Sequence, residues 1–354
     1  MFPYLIILVF TYYFAGHIDR LKQTDPQKAN RQKWWLIAVL TAFVGLRYAV
    51  GADYFAYIHD YYKWNSTLSF GAILVSKEPL IRLLAKLCHT IYVPKYVPIH
   101  FFLVMAFIFV STCVCTIYKY SSDFSLSVVL FILCGPYLDS CNATRQCIAA
   151  GIFFANYENI RSQRLLKFLL LTFVAYLFHS SAITLLPLFF VFTPNLSKEK
   201  QILWLLCTAL LLFVSFNTMM EYTETILNKE LGANVTYFNT RVNFLRVLVF
   251  LAPCLFLVLQ KQLLKVSLPP DAVFILFNAL RAVVTVRSAY LMRICIYTNI
   301  FLCLALPEAL RKVPLSKEST DMLLAFLLVF YFIFWTYGLL NSGGLYPYQC
   351  VLFS

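Results

Sequence analysis

Apolar runs long enough to enter a bilayer recur along this chain, and short polar connections rich in Lys and Arg separate them. The first is MFPYLIILVFTYYFAG. It has no basic n-region and no small-residue cleavage site, so it reads as a retained span. The connection Asp19 to Lys33 carries Arg20, Lys22, Lys28, Arg31 and Lys33, which places it in the cytoplasm. The next run, Trp34 to Val50, then heads outward and delivers Gly51 and Asp53 to the external face. Glu78 to Ile91 (EPLIRLLAKLCHTI) is two-faced at helical spacing and too charged for a span, so it reads as an interfacial or re-entrant helix on the outer side. Further runs follow in alternating directions: His100–Tyr118, Phe124–Leu138, Ile148–Glu158, Leu169–Phe178, Ala182–Phe192, Ile202–Phe216, Phe244–Leu259, Ala272–Val286, Tyr290–Leu306 and Leu323–Leu340. The expected fold is an all-α polytopic bundle of about twelve spans plus the interfacial helix, in one integral membrane domain.

Composition agrees. Hydrophobic residues make up 61% and charged residues 13%, which rules out an ordinary soluble domain. The net charge of +13 suggests a nucleic-acid partner, but the basic residues lie in short loops between apolar runs, as membrane topology demands, so no nucleic acid is expected. The eleven cysteines fall mostly inside apolar runs without a CxxC, as small packing residues do.

Loops alone set this sidedness, yet Arg47, Asp53, Arg145, His179, Arg293 and Tyr348 all fall near the outer face. Arg47, Arg145, Arg281, Arg287 and Arg293 lie in or beside apolar segments, where an Arg at mid-depth costs on the order of 2.5 to 3.5 kcal/mol. A guanidinium offers a planar fork of donors suited to phosphate oxygens, so convergent arginines would clamp a pyrophosphate; snorkelling, or pairing with Asp53 or Glu78, is the structural alternative. Asp53 is a candidate base or orienter of a hydroxyl, with pairing to Arg47 as its plain role. His179 is a candidate base or sugar-binding group, or a helix cap. Arg145 completes the catalytic set. Gly51, Tyr57, Glu78, Asn142, Gln146, Arg47, Arg287 and Arg293 are candidates for substrate binding. Without DxD, HExxH or a Gly-rich phosphate loop, no metal or other cofactor is expected, and arginines would stabilise the leaving group.

The runs GLRYAVGADYFAYIHDYY, KEPLIRLLAKL, CNATRQCIAAGIFF, AYLFHSSAITLLPL, YLMRICIYTNIFLCLALP and YPYQ together resemble the EpsG family of Wzy-like bacterial polysaccharide polymerases, in order from about Arg47 to Gln349. Ala52 departs from the pattern, where Thr or Ser is the more frequent neighbour of the Asp. The resemblance implies an enzyme of O-antigen, capsule or exopolysaccharide assembly in the bacterial inner membrane. It would transfer a glycan from undecaprenyl pyrophosphate to an incoming lipid-linked oligosaccharide at the outer leaflet. Membrane lipid and a chain-length regulator would be its further partners. A flippase of the same lipid would show midplane charges and internal repeats, and a single-transfer ligase a larger late external loop. A membrane O-acyltransferase would surround His179 with other paired catalytic residues.

Overall fold

The computed structural model describes residues 1–191, 200, 203, 244–263, 265, 271–284, 292–341 and 343–353. Among them every regular element is helical, with one isolated backbone bridge between Arg47 and Cys350. Asp25 separates α1 (Phe2–Thr24) from α2 (Pro26–Gly45): its side chain accepts from the Lys28 N–H, and Pro26 occupies the first turn, where a missing N–H costs nothing. Helices α3 (Tyr54–Thr67), α4 (Phe70–Leu74) and α5 (Pro79–Ile91) follow, then α6 (Ile99–Tyr120), α7 (Phe124–Leu133), α8 (Pro136–Asp139), α9 (Thr144–Phe154), α10 (Tyr157–Arg161) and α11 (Leu165–Phe178). Helix α2 packs on α1 and α6, and α6 packs on α9, which in turn meets α11. The later helices are Phe244–Leu263, Ala272–Val284, Met292–Asn299, Leu302–Arg311 and Lys317–Asn341.

Four helices are long and apolar enough to cross a membrane: Phe2–Thr24, Ile99–Tyr120, Phe244–Gln262 and Lys317–Asn341. A fifth crossing results if Arg293–Asn299 and Leu302–Arg311, bent by 44°, act as one broken span. The helices therefore give four to five candidate spans among the described residues, where the apolar pattern predicts about twelve. The physical reason is punctuation inside the runs. Gly135 and Pro136 break the second half of Phe124–Leu138, and His179 with a 3₁₀ turn (Ser180–Leu185) divides the apolar stretch around it. What remains is a set of shorter apolar helices such as Phe124–Leu133 and Leu165–Phe178. The expected crossing Ile202–Phe216 lies outside the described residues, apart from Leu203. Phe2, Ile6, Val9 and Tyr13 on α1, and Met322, Phe326, Val329 and Ile333 on Lys317–Asn341, are exposed, as lipid-facing residues are.

The two-faced segment expected at Glu78 to Ile91 forms α5. It buries Ile81, Ala85 and Cys88, leaves Leu87 and Ile91 exposed, and turns its cations back onto α3: the Arg82 guanidinium lies over Trp64, and Lys86 Nζ donates to Asn65 O.

A short segment near the C-terminus closes over the Gly45–Asp53 loop. Gly51 N donates to Gly344 O at 2.7 Å, Tyr48 N to Gln349 O, and Val351 N to Leu46 O. Tyr348 stacks on Phe43 with centroids 4.4 Å apart and donates its hydroxyl to Phe43 O, while the Tyr4 hydroxyl donates to Leu345 O. Both termini thus hold the loop that carries Arg47, Gly51 and Asp53.

Candidate active site

Arg47 is 3% exposed and spends its fork on oxygens of the fold. Nε donates to Val50 O, Nη1 to Val44 O, and Nη2 to Cys141 O and Thr144 Oγ1. Its guanidinium also lies 5.0 Å from the Phe102 ring centre. Arg47 therefore rivets the Gly45–Asp53 loop to the start of α9 and holds no Asp53 carboxylate. Arg281 is similar: 4% exposed, it donates to Ile294 O and to Thr184 O and Oγ1. Neither arginine presents its donors to a shared pocket, so the expected convergence of all these arginines on one pyrophosphate is corrected on this point. Arg287 lies outside the described residues.

A second consequence of this loop is the seating of Gly51. Its φ of +101° lies in the region only glycine adopts freely, and a Cβ there would stand 2.2 Å from Cys141 O. The close approach lets Ala52 N donate to Asn142 Oδ1 at 2.7 Å, which links the Gly51–Asp53 turn to the turn preceding α9.

Around the start of α9, charged groups from three distant segments meet. Glu78, held in a left-handed conformation (φ 57°) at the start of α5, accepts from Arg145 Nη1 at 3.1 Å and from His179 Nδ1 at 2.7 Å; Ser180 N adds a longer contact at 3.3 Å. Tyr57 completes the group: its hydroxyl accepts from Arg145 N, and the Arg145 guanidinium lies 5.8 Å from its ring centre. The Glu78 side chain is 8% exposed, whereas those of Arg145 and His179 are 34% and 25% exposed, so the carboxylate is the buried hub and the two nitrogen bases face outward from it.

Burial alone would raise the Glu78 pKa; the hydrogen bond and charge of His179, with the charge of Arg145, outweigh it and bring the carboxyl down to about 2. A depressed carboxyl contributes its stabilisation fully above its unfolded value and loses it only as pH falls toward about 2. Glu78 is thus ionised throughout the physiological range. An ionised carboxylate only accepts, so His179 Nδ1 carries a proton in either form of the ring: the imidazolium, whose charge helps to depress Glu78, holds a second proton on Nε2, and the neutral ring has its lone pair there. That is how a histidine is oriented as a general base.

Beside the turn that precedes α9 lies a cavity of about 460 Å³. Asp53, Asn142 and Arg293 line it, together with three polar residues that the apolar pattern did not single out: Asp139, Arg246 and Asn299. Gln146 is buried beside it and donates Nε2 to Arg293 O at 2.7 Å. Asp139 ends the single turn of α8, outside the candidate spans; burial pushes its carboxyl up to about 6 against the opposing charge of Arg246. The predicted residues therefore divide into two neighbouring groups. Glu78, Arg145, His179 and Tyr57 form the cluster, and Asp53, Asn142 and Arg293 face the cavity.

A model of the EpsG family matches residues 34–350, nearly the whole chain. This chain belongs to the EpsG family. No curated protein and no solved structure gives a significant match. EpsG membership makes it a polysaccharide polymerase-like, multi-pass membrane protein. The segments that carry the EpsG likeness are far apart along the chain and adjacent in space. The YPYQ segment holds the GLRYAVGAD loop through Tyr48 N and the end of α2 just before it through Phe43 O, and that loop contacts CNATRQ through Ala52 N. Glu78 joins Arg145 to the FHSS segment, where Ser181 Oγ and the Tyr297 hydroxyl of the late YLMRICIYTN segment lie 2.8 Å apart.

Proposed function

We propose that this protein polymerises polysaccharide at the outer face of the bacterial inner membrane, transferring a growing glycan from undecaprenyl pyrophosphate to an incoming lipid-linked repeat unit. The observation that carries the reading is the meeting of Glu78, Arg145 and His179 beside a cavity lined by Asp53, Arg246 and Arg293, in an EpsG-family chain.

In this reaction the acceptor hydroxyl oxygen bonds to the anomeric carbon of the donor sugar. The bond from that carbon to the pyrophosphate oxygen breaks, and the electron pair leaves on undecaprenyl pyrophosphate. The hydroxyl proton passes to His179 Nε2, whose orientation Glu78 fixes. Arg145 and Arg293 offset the charge that grows on the pyrophosphate, a task for preorganised cations in the absence of a metal motif in the sequence. Asp53 orients the acceptor from the cavity side. The polyprenyl tail lies along an apolar groove of about 650 Å³ between the first turns of α1 and the C-terminal segment, lined by Ile6, Ile7, Phe43, Tyr348 and Phe353.

Sidedness follows from the opposite end of the bundle. There Lys22 and Lys33 both approach the Tyr118 ring at 4.7 Å, and Arg161 donates to Tyr157, which donates to Asp271. These basic connections are the ones the positive-inside rule assigns to the cytoplasm, which supports a reading with the cluster and cavity at the outer face. The shorter apolar helices serve in this reading as partial crossings that complete a bundle nearer the twelve spans of the apolar pattern.

A strain lacking the protein is expected to accumulate single lipid-linked repeat units on the outer leaflet, measured by accessibility to an impermeant oxidant of sugar diols. Accumulation on the inner leaflet would instead identify a flippase.

A further inference from the structure

The cluster and the cavity carry different parts of the proposed transfer, and one late helix touches both. On the cavity side, Met292–Asn299 contributes Arg293, Cys295 and Ile296 to the wall. On the cluster side, its Tyr297 hydroxyl lies 2.8 Å from Ser181 Oγ. Ser181 belongs to the 3₁₀ turn Ser180–Leu185, which starts on His179 itself: Ala182 N donates to His179 O at 3.0 Å. Ser180 N also reaches Glu78 Oε1, so a shift of this turn would move His179 against its carboxylate.

A second tie joins the same two segments. Arg281, on the helix Ala272–Val284, is 4% exposed, and its guanidinium lies 4.8 Å from the Phe277 ring centre. Nη1 donates to Ile294 O at 2.9 Å, next to Arg293, while Nη2 reaches Thr184 O at 3.3 Å and Thr184 Oγ1 at 3.4 Å. Thr184 Oγ1 in turn donates to the carbonyl of Ser181, the residue that Tyr297 meets. These acceptors are uncharged, so the fold bears the desolvation of a guanidinium in order to bridge two stretches of chain. An apolar side chain would fill the same space at lower cost. The planar fork serves both stretches from separate nitrogens, whereas a lysine ammonium is a single point on a flexible stem.

We propose that Arg281 and Tyr297 are positioning residues, which hold His179 and Arg293 in register so that proton removal and charge stabilisation act on one bond exchange. Both are buried too deeply to touch substrate themselves, Tyr297 being 0% exposed. The need for register is physical: the two groups serve the same displacement, and a misplacement of about 1 Å costs on the order of 100-fold in rate. The inference deepens the polymerase reading and rests on it for the reaction that the register serves.

The test uses the full chain in lipid nanodiscs, with lipid-linked repeat units from the deletion strain as substrate. Arg281→Gln removes a buried charge and Tyr297→Phe a single oxygen, so both variants are expected to fold. Each should lower kcat about tenfold or more while KM stays within about threefold, because ground-state binding is left intact. Ser181→Ala should match Tyr297→Phe, and combining the two should cost no more than either alone. Arg281→Lys should fall with Arg281→Gln, since the charge without the fork does not bridge the two segments. Hydrogen–deuterium exchange gives a readout that needs no turnover: Arg281→Gln should speed exchange in Ser180–Leu185 and in Met292–Asn299 together. A wild-type kcat in Arg281→Gln and Tyr297→Phe, a loss carried by KM, full turnover in Arg281→Lys, or faster exchange in only one of the two segments would overturn the proposal. If exchange is coupled in this way but the wild type builds no polymer, the joint between turn and helix stands and the polymerase reading falls.

Discussion

Glu78→Gln is expected to slow polymer formation by about 100-fold or more while leaving the protein folded in detergent. The carboxylate serves two donors at once, His179 Nδ1 on one oxygen and Arg145 Nη1 on the other. An amide still offers one acceptor oxygen, but its NH₂ then faces a donor on the other side. His179 loses the fixed proton on Nδ1 that leaves Nε2 free, and Arg145 loses the anion that holds it over Tyr57. His179→Ala should lose a similar factor, and the double variant little more than either alone, since both act through one imidazole. Rates within a few-fold of wild type in Glu78→Gln would show that the imidazole is not oriented for proton transfer.

Gly51→Ala should prevent accumulation of folded protein, with a destabilisation above about 4 kcal/mol, at the extreme of single substitutions. The added Cβ would meet a backbone oxygen, Cys141 O, at 2.2 Å, and the residue would have to keep a φ of +101°. A backbone obstacle cannot swing aside as a side chain can. The turn would open, breaking the hydrogen bonds from Gly51 N to Gly344 O and from Ala52 N to Asn142 Oδ1. Gly71→Ala is the matched control: within α4 nothing stands within 4 Å of its new Cβ, so it should be neutral or slightly stabilising. Fluorescence-detected size exclusion after a temperature series reads both. A monodisperse, wild-type-like Gly51→Ala would mean that the loop is not held as described.

Much of this arrangement was legible in the residues. Basic loops and apolar runs marked a multi-pass membrane protein, and polar residues out of place in those runs marked Arg145, His179, Glu78, Asp53 and Arg293 as unusual. What could not be read was how each polar group is satisfied. Arg47 and Arg145 look alike in sequence, each beside an apolar run, but backbone carbonyls absorb the first and a carboxylate from α5 holds the second. Carbonyls have no sequence signature, so only the folded chain separates a rivet from a reactive group. Asp139 follows a long apolar run and resembles the edge of a loop, so the apolar pattern does not single it out. The Gly135–Pro136 pair just before it was the available signal, since such a pair stops a helix and starts a turn. The count of about twelve spans is not confirmed among the described residues for a related reason: hydropathy sums across a break that the backbone makes with one glycine or one histidine.

The central claim is that the outward cluster and cavity join glycans, and it is tested by giving purified protein in proteoliposomes only undecaprenyl-pyrophosphate-linked repeat units and resolving the products by length. The expected result is a ladder from the wild type and a single-unit band from an Arg145→Ala, Arg293→Ala protein that still folds. A wild type that yields no ladder, or a double variant whose ladder matches it, would contradict the account.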